Sequence, residues 1–273
     1  MKPLIALTLL IVCTGAFATC KTPVVSQVNS DTSLKTYSPL RNMSTGQILL
    51  MPPTGGENFT DRKIAKKLCR RGLEVHVLNY PQPSGLTLDL NVHERITRMV
   101  LKSVSDFMMQ HQKKTVLLGA SLGGIYASLI YSLAMDANPD YPSFAPIKGL
   151  VTSVAGGPLA DILVYSKIEE AIQQRRMRLG SGVYQNRADY REQLDRAILT
   201  DPLRLARKSD AVLSYISLND EKVPTRTQFK LARAHGAKMR FIRVLGHPTS
   251  VLYTYFTQGD EIAYFAKKIL SRD

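Results

Sequence analysis

The sequence lacks tryptophan and is poor in acidic residues, with 22 Asp and Glu against 36 Lys and Arg among 273 residues. Proteins that bind single-stranded nucleic acid combine a positive groove with aromatic side chains on which bases stack. No tryptophan accompanies the basic residues here, and the basic residues are scattered, so a nucleic-acid partner is not expected. Two modest basic clusters stand out, at Lys63, Lys66, Lys67, Arg70, Arg71 and at Arg175, Arg176, Arg178.

The formal net charge of +14 favours anionic partners through long-range attraction. An anionic membrane surface, an acidic substrate and a solvated basic surface without a specific partner all remain open. The sequence has no G-x-x-x-x-G-K-[ST] phosphate loop, internal repeat or low-complexity tract. With 44% hydrophobic and 21% charged residues, its composition indicates one large α/β core without need of a second domain.

The first twenty residues predict export. Lys2 supplies a positive start, residues 4–12 an apolar run and Ala16-Phe17-Ala18 a small-residue cleavage site, which together are typical of a secretory signal peptide. The apolar run is too short to span a membrane as a helix. We therefore expect residues 1–18 to be a signal peptide and the mature protein to be periplasmic or secreted.

Cysteine is scarce, and removal of residues 1–18 leaves only Cys20 and Cys69. Bacterial lipoproteins are lipidated on a cysteine just past the apolar leader, so a lipoprotein anchored through Cys20 is the alternative to soluble export. Phe17-Ala18-Thr19 departs from the usual lipobox, which favours the soluble form. A disulfide is allowed in an oxidising compartment. However, Cys69 lies on the apolar face of a predicted helix and is expected to be a small core residue.

The most informative motif is Gly119-Ala120-Ser121-Leu122-Gly123, which lies between an apolar run at 115–118 and a helix-like stretch at 125–130. This order is typical of a nucleophile elbow. A serine at such a turn has a strained backbone, so the residues two before and two after it need almost no side chain. The motif alone also arises by chance in about one chain of this length in ten. A dinucleotide fingerprint would need glycine where Ser121 stands.

Candidate partners of Ser121 occur downstream. A catalytic serine needs an imidazole to take its proton and a carboxylate to orient that imidazole. Asp220 and His247 follow strand-like runs at 211–218 and 239–245. Ligands of open parallel sheets bind outside the carboxyl ends of the strands, so the three side chains are expected to meet there.

Other titratable residues compete less well for these roles. Glu221 is the nearest alternative carboxylate and Asp161 a weaker one. The remaining histidines are expected to be ordinary surface or strand residues: His76, His93, His111 and His235.

At residues 46–273 the chain resembles the α/β-hydrolase fold family, whose triad runs Ser, then Asp or Glu, then His. The resemblance rests on the elbow, the D-x-x-V-P turn at 220–224, the Gly246-His247 turn and the Pro-Pro-Thr-Gly-Gly loop at 52–56. It implies a mostly parallel central sheet flanked by helices. It also implies Ser121 as nucleophile, Asp220 as orienting carboxylate and His247 as general base and acid, with no metal and no organic cofactor.

The resemblance further implies an oxyanion hole. One donor would be the N–H of Leu122, and the second would come from the loop at 52–56. Because Pro52 and Pro53 have no N–H, Thr54 is the expected second donor. This loop departs from the His-Gly loop common in the family.

The predicted organisation is a signal peptide (1–18), an N-terminal extension (19–45) and a hydrolase domain (46–273). Residues 157–208 lack strand character and contain helical runs at 162–178 and 188–199. In the family, such an insertion after the sixth strand is a cap over the active site that sets substrate choice.

Two classes of function are open from the sequence. The favoured one is an exported serine hydrolase that cleaves an ester, thioester or amide of a small-molecule or lipid-like acyl substrate through an acyl-enzyme. An acyltransferase would use the same triad. The other class is a non-catalytic protein of this fold that binds a ligand or partner, because a fold does not establish chemistry.

Overall fold

A computed structural model describes residues 19–40, 46–82, 87–243 and 246–272. The strands are β1 (Val24–Asn29), β2 (Thr32–Tyr37), β3 (Gln47–Met51), β4 (Glu74–Asn79), β5 (Thr115–Ala120), β6 (Ile147–Ser153), β7 (Val212–Ser217) and β8 (Lys238–Ile242). They form one eight-stranded sheet in the order β1-β2-β4-β3-β5-β6-β7-β8. β3 to β8 are parallel, and β2 pairs antiparallel with both β1 and β4. The predicted mostly parallel sheet is confirmed.

Helices cover both faces of this sheet, as predicted. They are α1 (Phe59–Arg70), α2 (Val92–Gln110), α3 (Leu122–Met135), α4 (Leu159–Tyr165), α5 (Glu169–Gly180), α6 (Arg187–Ala197), α7 (Pro202–Leu205), α8 (Thr225–Ala234), α9 (His247–Thr257) and α10 (Gly259–Leu270), with a 3-10 turn at Pro142–Phe144. α1, α9 and α10 pack on one face of the sheet, and α2 and α3 on the other. Within the described ranges, no helix has the length and apolar content needed to cross a bilayer.

Apolar patterning explains these layers. Every residue of β3 and β5 is buried, which is typical of central strands covered by helices on both faces. α1 turns Ile64, Ala65 and Leu68 into the core and its lysines and arginines outward, while Asp61 in its first turn is buried. Asn58 starts α1 by accepting hydrogen bonds from the backbone N–H groups of Thr60 and Asp61.

The N-terminal segment joins the sheet. Residues 24–37, which the sequence places in an extension, form β1 and β2 at its edge. Cys20 pairs with Pro39 in a short bridge, and this brings it to the buried end of α1, where it forms a disulfide with Cys69. The expectation of an unpaired core cysteine at Cys69 is wrong. Cys69 is indeed fully buried, but the two Cα atoms lie 6.0 Å apart, which suits a disulfide.

The segment between β6 and β7 holds α4 to α7. The run predicted as one helix at 162–178 is two helices, because the chain is extended at Ser166 and Ile168 between them. α4 and α6 share a buried apolar cluster with Ile125 of α3 and Val223. This cluster fixes the segment above the carboxyl end of the sheet. Its role as a cap remains a prediction, as does the signal peptide, whose residues 1–18 lie outside the described ranges.

Candidate active site

Ser121 occupies the sharp turn between β5 and α3. Its backbone has φ 52° and ψ −124°, a region that residues with side chains rarely adopt. The Ser121 N–H donates to Ser153 O at 2.9 Å, which ties the turn to the neighbouring strand β6. The strained turn directs the serine toward the carboxyl edge of the sheet, with α3 beginning directly after it.

Neighbouring backbone atoms leave no room for a side chain at Gly119 or Gly123, the residues two before and two after Ser121. A Cβ on Gly119 would lie 2.4 Å from Gly123 O, and a Cβ on Gly123 would lie 2.1 Å from Met51 O. Both distances are far below van der Waals contact and involve backbone atoms that cannot move aside. The close approach of Gly123 to Met51 also sets the following Pro-Pro-Thr loop beside the elbow.

Ser121, His247 and Asp220 form a continuous hydrogen-bonded chain. His247 Nε2 lies 2.9 Å from Ser121 Oγ, and His247 Nδ1 lies 2.7 Å from Asp220 Oδ2. All three residues are at most 9% exposed. His247 is the first residue of α9, and the positive φ of Gly246 (74°) turns the chain into that helix. The structure therefore brings together the three side chains singled out from the sequence.

The surroundings of Asp220 fix its carboxylate. Oδ1 accepts hydrogen bonds from the N–H groups of Lys222 and Val223, both at 2.9 Å, and Oδ2 also accepts from Gln228 Nε2 at 3.1 Å. Gln228 is itself held, because its Oε1 accepts from Ser217 N at 3.0 Å and its Nε2 donates to Val223 O at 2.7 Å. These donors occupy both oxygens and hold the carboxylate in position behind the imidazole.

The two competing carboxylates have other partners. Glu221 is exposed and its Oε1 lies 2.8 Å from Lys167 Nζ. Asp161 accepts from Arg191 Nε at 2.6 Å and from Lys230 Nζ at 3.3 Å. Burial raises the pKa of Asp161, but the hydrogen bonds from these two cations outweigh it and hold that pKa below its usual value.

Two backbone N–H groups are available next to Ser121. Leu122 is the first residue of α3, so its N–H has no partner within the helix. In the loop at 52–56, Gly55 N donates to Gln82 Oε1 at 3.2 Å and Gly56 N donates to Pro53 O at 3.1 Å. Thr54 borders the same cavities as Ser121 and, within the described part of the chain, its N–H is unbonded. The geometry is compatible with the oxyanion hole inferred from the sequence.

Ser121 borders two connected spaces. The first is a cavity of about 220 Å³ under α4 and α5. Its walls are largely apolar, formed mainly by Val92, Leu122, Ile125, Leu159, Ile162, Leu163, Ile168, Ala171 and Val223. The second is an opening of about 520 Å³ between the loop at 52–56 and the start of α9. The serine thus stands between an apolar chamber and a more polar mouth.

His93 is a site neighbour that the sequence did not single out. It belongs to α2, is 7% exposed and borders the apolar cavity. Burial, assisted by the charge of Arg178, lowers the pKa of His93 to about 4, so the ring is neutral near pH 7. Its Nε2 has no hydrogen-bond partner in the described ranges. The expectation of an ordinary surface histidine is wrong here, because α2 packs its first turn under α5.

Comparisons with known proteins bear on the fold. No family model matches the sequence, and no curated protein is significantly similar to it. Many solved structures do match. An acetyl xylan esterase from Thermoanaerobacterium sp. has a TM-score of 0.64 at 15% identity, over 94% of this chain and 85% of that one. An α/β hydrolase superfamily protein from Enterococcus faecalis has a TM-score of 0.63 at 14% identity, over 90% of this chain and 99% of that one.

A third match is brefeldin A esterase, described as a bacterial homologue of human hormone-sensitive lipase. Its TM-score is 0.58 at 14% identity, over 98% of this chain and 81% of that one. At such identities the likeness establishes the fold and leaves the reaction to the site itself. The chain has the α/β-hydrolase fold, as the sequence motifs indicated.

Proposed function

We propose that this α/β-hydrolase-fold protein is an exported serine hydrolase that cleaves a carboxylic ester through an acyl-enzyme on Ser121. The observation that carries the proposal is the chain from Ser121 Oγ to His247 (2.9 Å) and on to Asp220 (2.7 Å). An elbow serine, an imidazole in reach of it and a fully bonded carboxylate behind the imidazole are the three parts that nucleophilic acyl transfer requires.

The reaction would proceed in two halves. His247 Nε2 takes the proton of Ser121 Oγ as the oxygen attacks the ester carbonyl, and the N–H groups of Leu122 and Thr54 stabilise the resulting oxyanion. The protonated imidazole then gives its proton to the departing alcohol, which leaves the acyl group on Ser121. A water molecule, deprotonated by His247, releases the acid and restores the serine. Asp220 stays ionised and holds the imidazolium in place.

The apolar cavity supports an acyl substrate with a hydrocarbon chain. Among the described residues, nine apolar and six polar ones line a space of about 220 Å³ that begins at Ser121. Burial of apolar surface there would favour binding by about 0.8 kcal/mol for each methylene. The leaving group would lie in the more polar mouth beside His247 and Thr249. That several structural neighbours are esterases agrees with an ester rather than an amide bond.

Export is part of the proposal. The predicted signal peptide at 1–18 supports it, and so does the Cys20–Cys69 disulfide, because disulfides persist in oxidising compartments and are rare in the cytosol. The disulfide also favours the soluble form over a lipoprotein. A lipidated Cys20 would have no sulfur valence left to bond to Cys69.

A panel of p-nitrophenyl esters of graded chain length tests the proposal on the purified mature protein. We expect hydrolysis that is lost in Ser121→Ala, with kcat/KM rising as the chain fills the cavity. Leu163→Trp, which narrows the cavity, should lower kcat/KM for longer chains and leave the acetyl ester little changed. Saturable ester binding without turnover would instead establish the non-catalytic binding protein. Faster turnover with an added alcohol, giving a new ester, would establish the acyltransferase.

A further inference from the structure

The outer faces of α1 and α9 expose large apolar side chains next to one another. Phe59 of α1 is 54% exposed and Phe256 of α9 is 44% exposed, and their ring centroids lie 6.2 Å apart. Leu252, one helical turn before Phe256 on α9, is also 44% exposed. Exposed apolar side chains grouped in this way commonly mark an interaction surface.

Cations continue this surface along α1. Lys63 Nζ lies 5.1 Å from the centre of the Phe59 ring, and Lys66 and Arg70 follow Lys63 at spacings of three and seven residues, on the same side of the helix. In the part of the chain that the structure describes, none of these three cations forms an ion pair. Their charges are therefore not neutralised by the protein itself.

A surface depression lies between α1 and α9. Its volume is about 640 Å³, and five cations line it together with Tyr255 and Phe256: Lys63, Lys66, Lys67, Arg70 and Arg71. No carboxylate is among the described residues that line it. Lys67 and Arg71 pair with Asp260 at its border. The depression thus offers cations to an external anion.

The same surface borders the entrance of the candidate active site. Leu252 lines the opening of about 520 Å³ that also contains Ser121 and His247. α9 begins at His247 and carries Leu252 and Phe256 on its exposed side. A partner bound to this surface would therefore lie directly at the mouth through which a substrate enters.

We propose that the α1–α9 face, made of Phe59, Lys63, Lys66, Arg70, Leu252 and Phe256, docks the mature protein on an anionic lipid surface. The apolar side chains would enter the headgroup boundary while the cations contact anionic headgroups. The positive charge of this face favours an anionic lipid surface over the other candidate partners. A second copy of a chain with a net charge of +14 would bring like charges together. A nucleic acid would use the cations but leave Leu252 without a partner.

Vesicle sedimentation tests docking separately from catalysis, because the Ser121→Ala form of the mature protein is used throughout. We expect binding to vesicles of phosphatidylcholine mixed with phosphatidylglycerol, weak binding to phosphatidylcholine alone, and release by salt. Lys63→Glu/Lys66→Glu should weaken binding at least about tenfold, since each basic residue near an anionic surface contributes on the order of 1 kcal/mol. Phe256→Ser should weaken it as well.

Lys148→Glu/Lys208→Glu is the matched control. It makes the same change in net charge on exposed lysines outside the α1–α9 face, one at the start of β6 and one in the loop before β7, and should keep wild-type affinity. With Ser121 intact, Lys63→Glu/Lys66→Glu should hydrolyse a soluble ester normally, which shows that the fold survives. Equal loss of vesicle binding in both double variants would overturn the proposal. Absence of vesicle binding would also overturn it. So would binding of duplex DNA, without binding of vesicles, that depends on Lys63 and Lys66.

Discussion

The carboxylates of Asp220 and Glu221 are adjacent in the chain and face different partners. Asp220 lies behind His247, with Oδ2 2.7 Å from Nδ1, whereas Glu221 is exposed and pairs with Lys167 at 2.8 Å. The difference comes from the turn, in which Asp220 Oδ1 accepts the N–H groups of Lys222 and Val223 and so directs its side chain inward. The sequence favours Asp220 for this role and leaves Glu221 as the nearest alternative.

Substitution of the two carboxylates should therefore give very different rates. Asp220→Asn removes the charge that stabilises the imidazolium and should lower kcat by roughly 10⁴, the loss seen in an analogous serine protease substitution. Glu221→Gln should change kcat by less than about twofold, because exposed ion pairs contribute at most about 1 kcal/mol and, among the described residues, the Glu221 carboxylate pairs with Lys167 and not with His247. Steady-state kinetics on one ester, with circular dichroism to confirm folding, measures both. The opposite ranking would assign the carboxylate role to Glu221.

The Cys20–Cys69 disulfide should stabilise the mature protein. It closes a loop across a sequence separation of 49 residues and fastens the N-terminal strands to α1. Cys20→Ser/Cys69→Ser should lower the free energy of unfolding in urea by about 2–4 kcal/mol. Non-reducing peptide mapping of exported protein should recover the two cysteines in one linked peptide, from a chain that begins at Thr19. A lipidated Cys20 in the exported protein would show that the soluble form is wrong.

Asp61 should make stability depend on pH. Burial is the main cause that raises the pKa of this carboxyl from 3.8 to about 7, against a hydrogen bond from the Asn58 backbone that lowers it. The folded protein therefore binds a proton that the unfolded chain has released, so this contribution to stability is complete at low pH. It is lost as pH rises between about 4 and 7, by at most about 1.4 kcal/mol for each pH unit.

Asp61→Asn isolates that contribution, since the amide keeps an acceptor for the Asn58 N–H. Urea unfolding of both proteins should show the variant gaining stability relative to wild type as pH rises through this window. The comparison with the variant is needed because other buried groups also titrate. Burial lowers the pKa values of His76, His93 and His235 to about 4. Their contribution to stability increases as pH rises, which is opposite to that of Asp61. A difference between the two proteins that does not change with pH would contradict a protonated Asp61.

The sequence predicts those parts of the site that depend on local backbone geometry. The turn at Ser121 needs glycine at 119 and 123 because backbone atoms of Gly123 and Met51 would meet any side chain there. Asp220 and His247 are predictable because each follows a buried strand, and parallel strands end at one edge. The apolar faces of α1 and α2 are likewise visible as helical periodicity.

The rest depends on contacts between distant segments. Gln228 supports Asp220 only because α8 packs against β7, and glutamine on a helix has no distinctive pattern. His93 becomes part of the cavity because α5 covers the start of α2. Cys20 meets Cys69 through the register of the N-terminal strands. A single sequence does not encode such pairings in any local motif.

Covalent labelling at Ser121 tests the central claim most directly. A fluorophosphonate should react at this one serine, because His247 couples proton removal to attack and each N–H donor of the oxyanion hole contributes on the order of 10²-fold to 10³-fold in rate. Mass spectrometry of the labelled mature protein should find one adduct per chain at Ser121, absent from Ser121→Ala and from His247→Ala. An adduct that persists in Ser121→Ala, or a folded protein that a small probe does not label, would contradict the account.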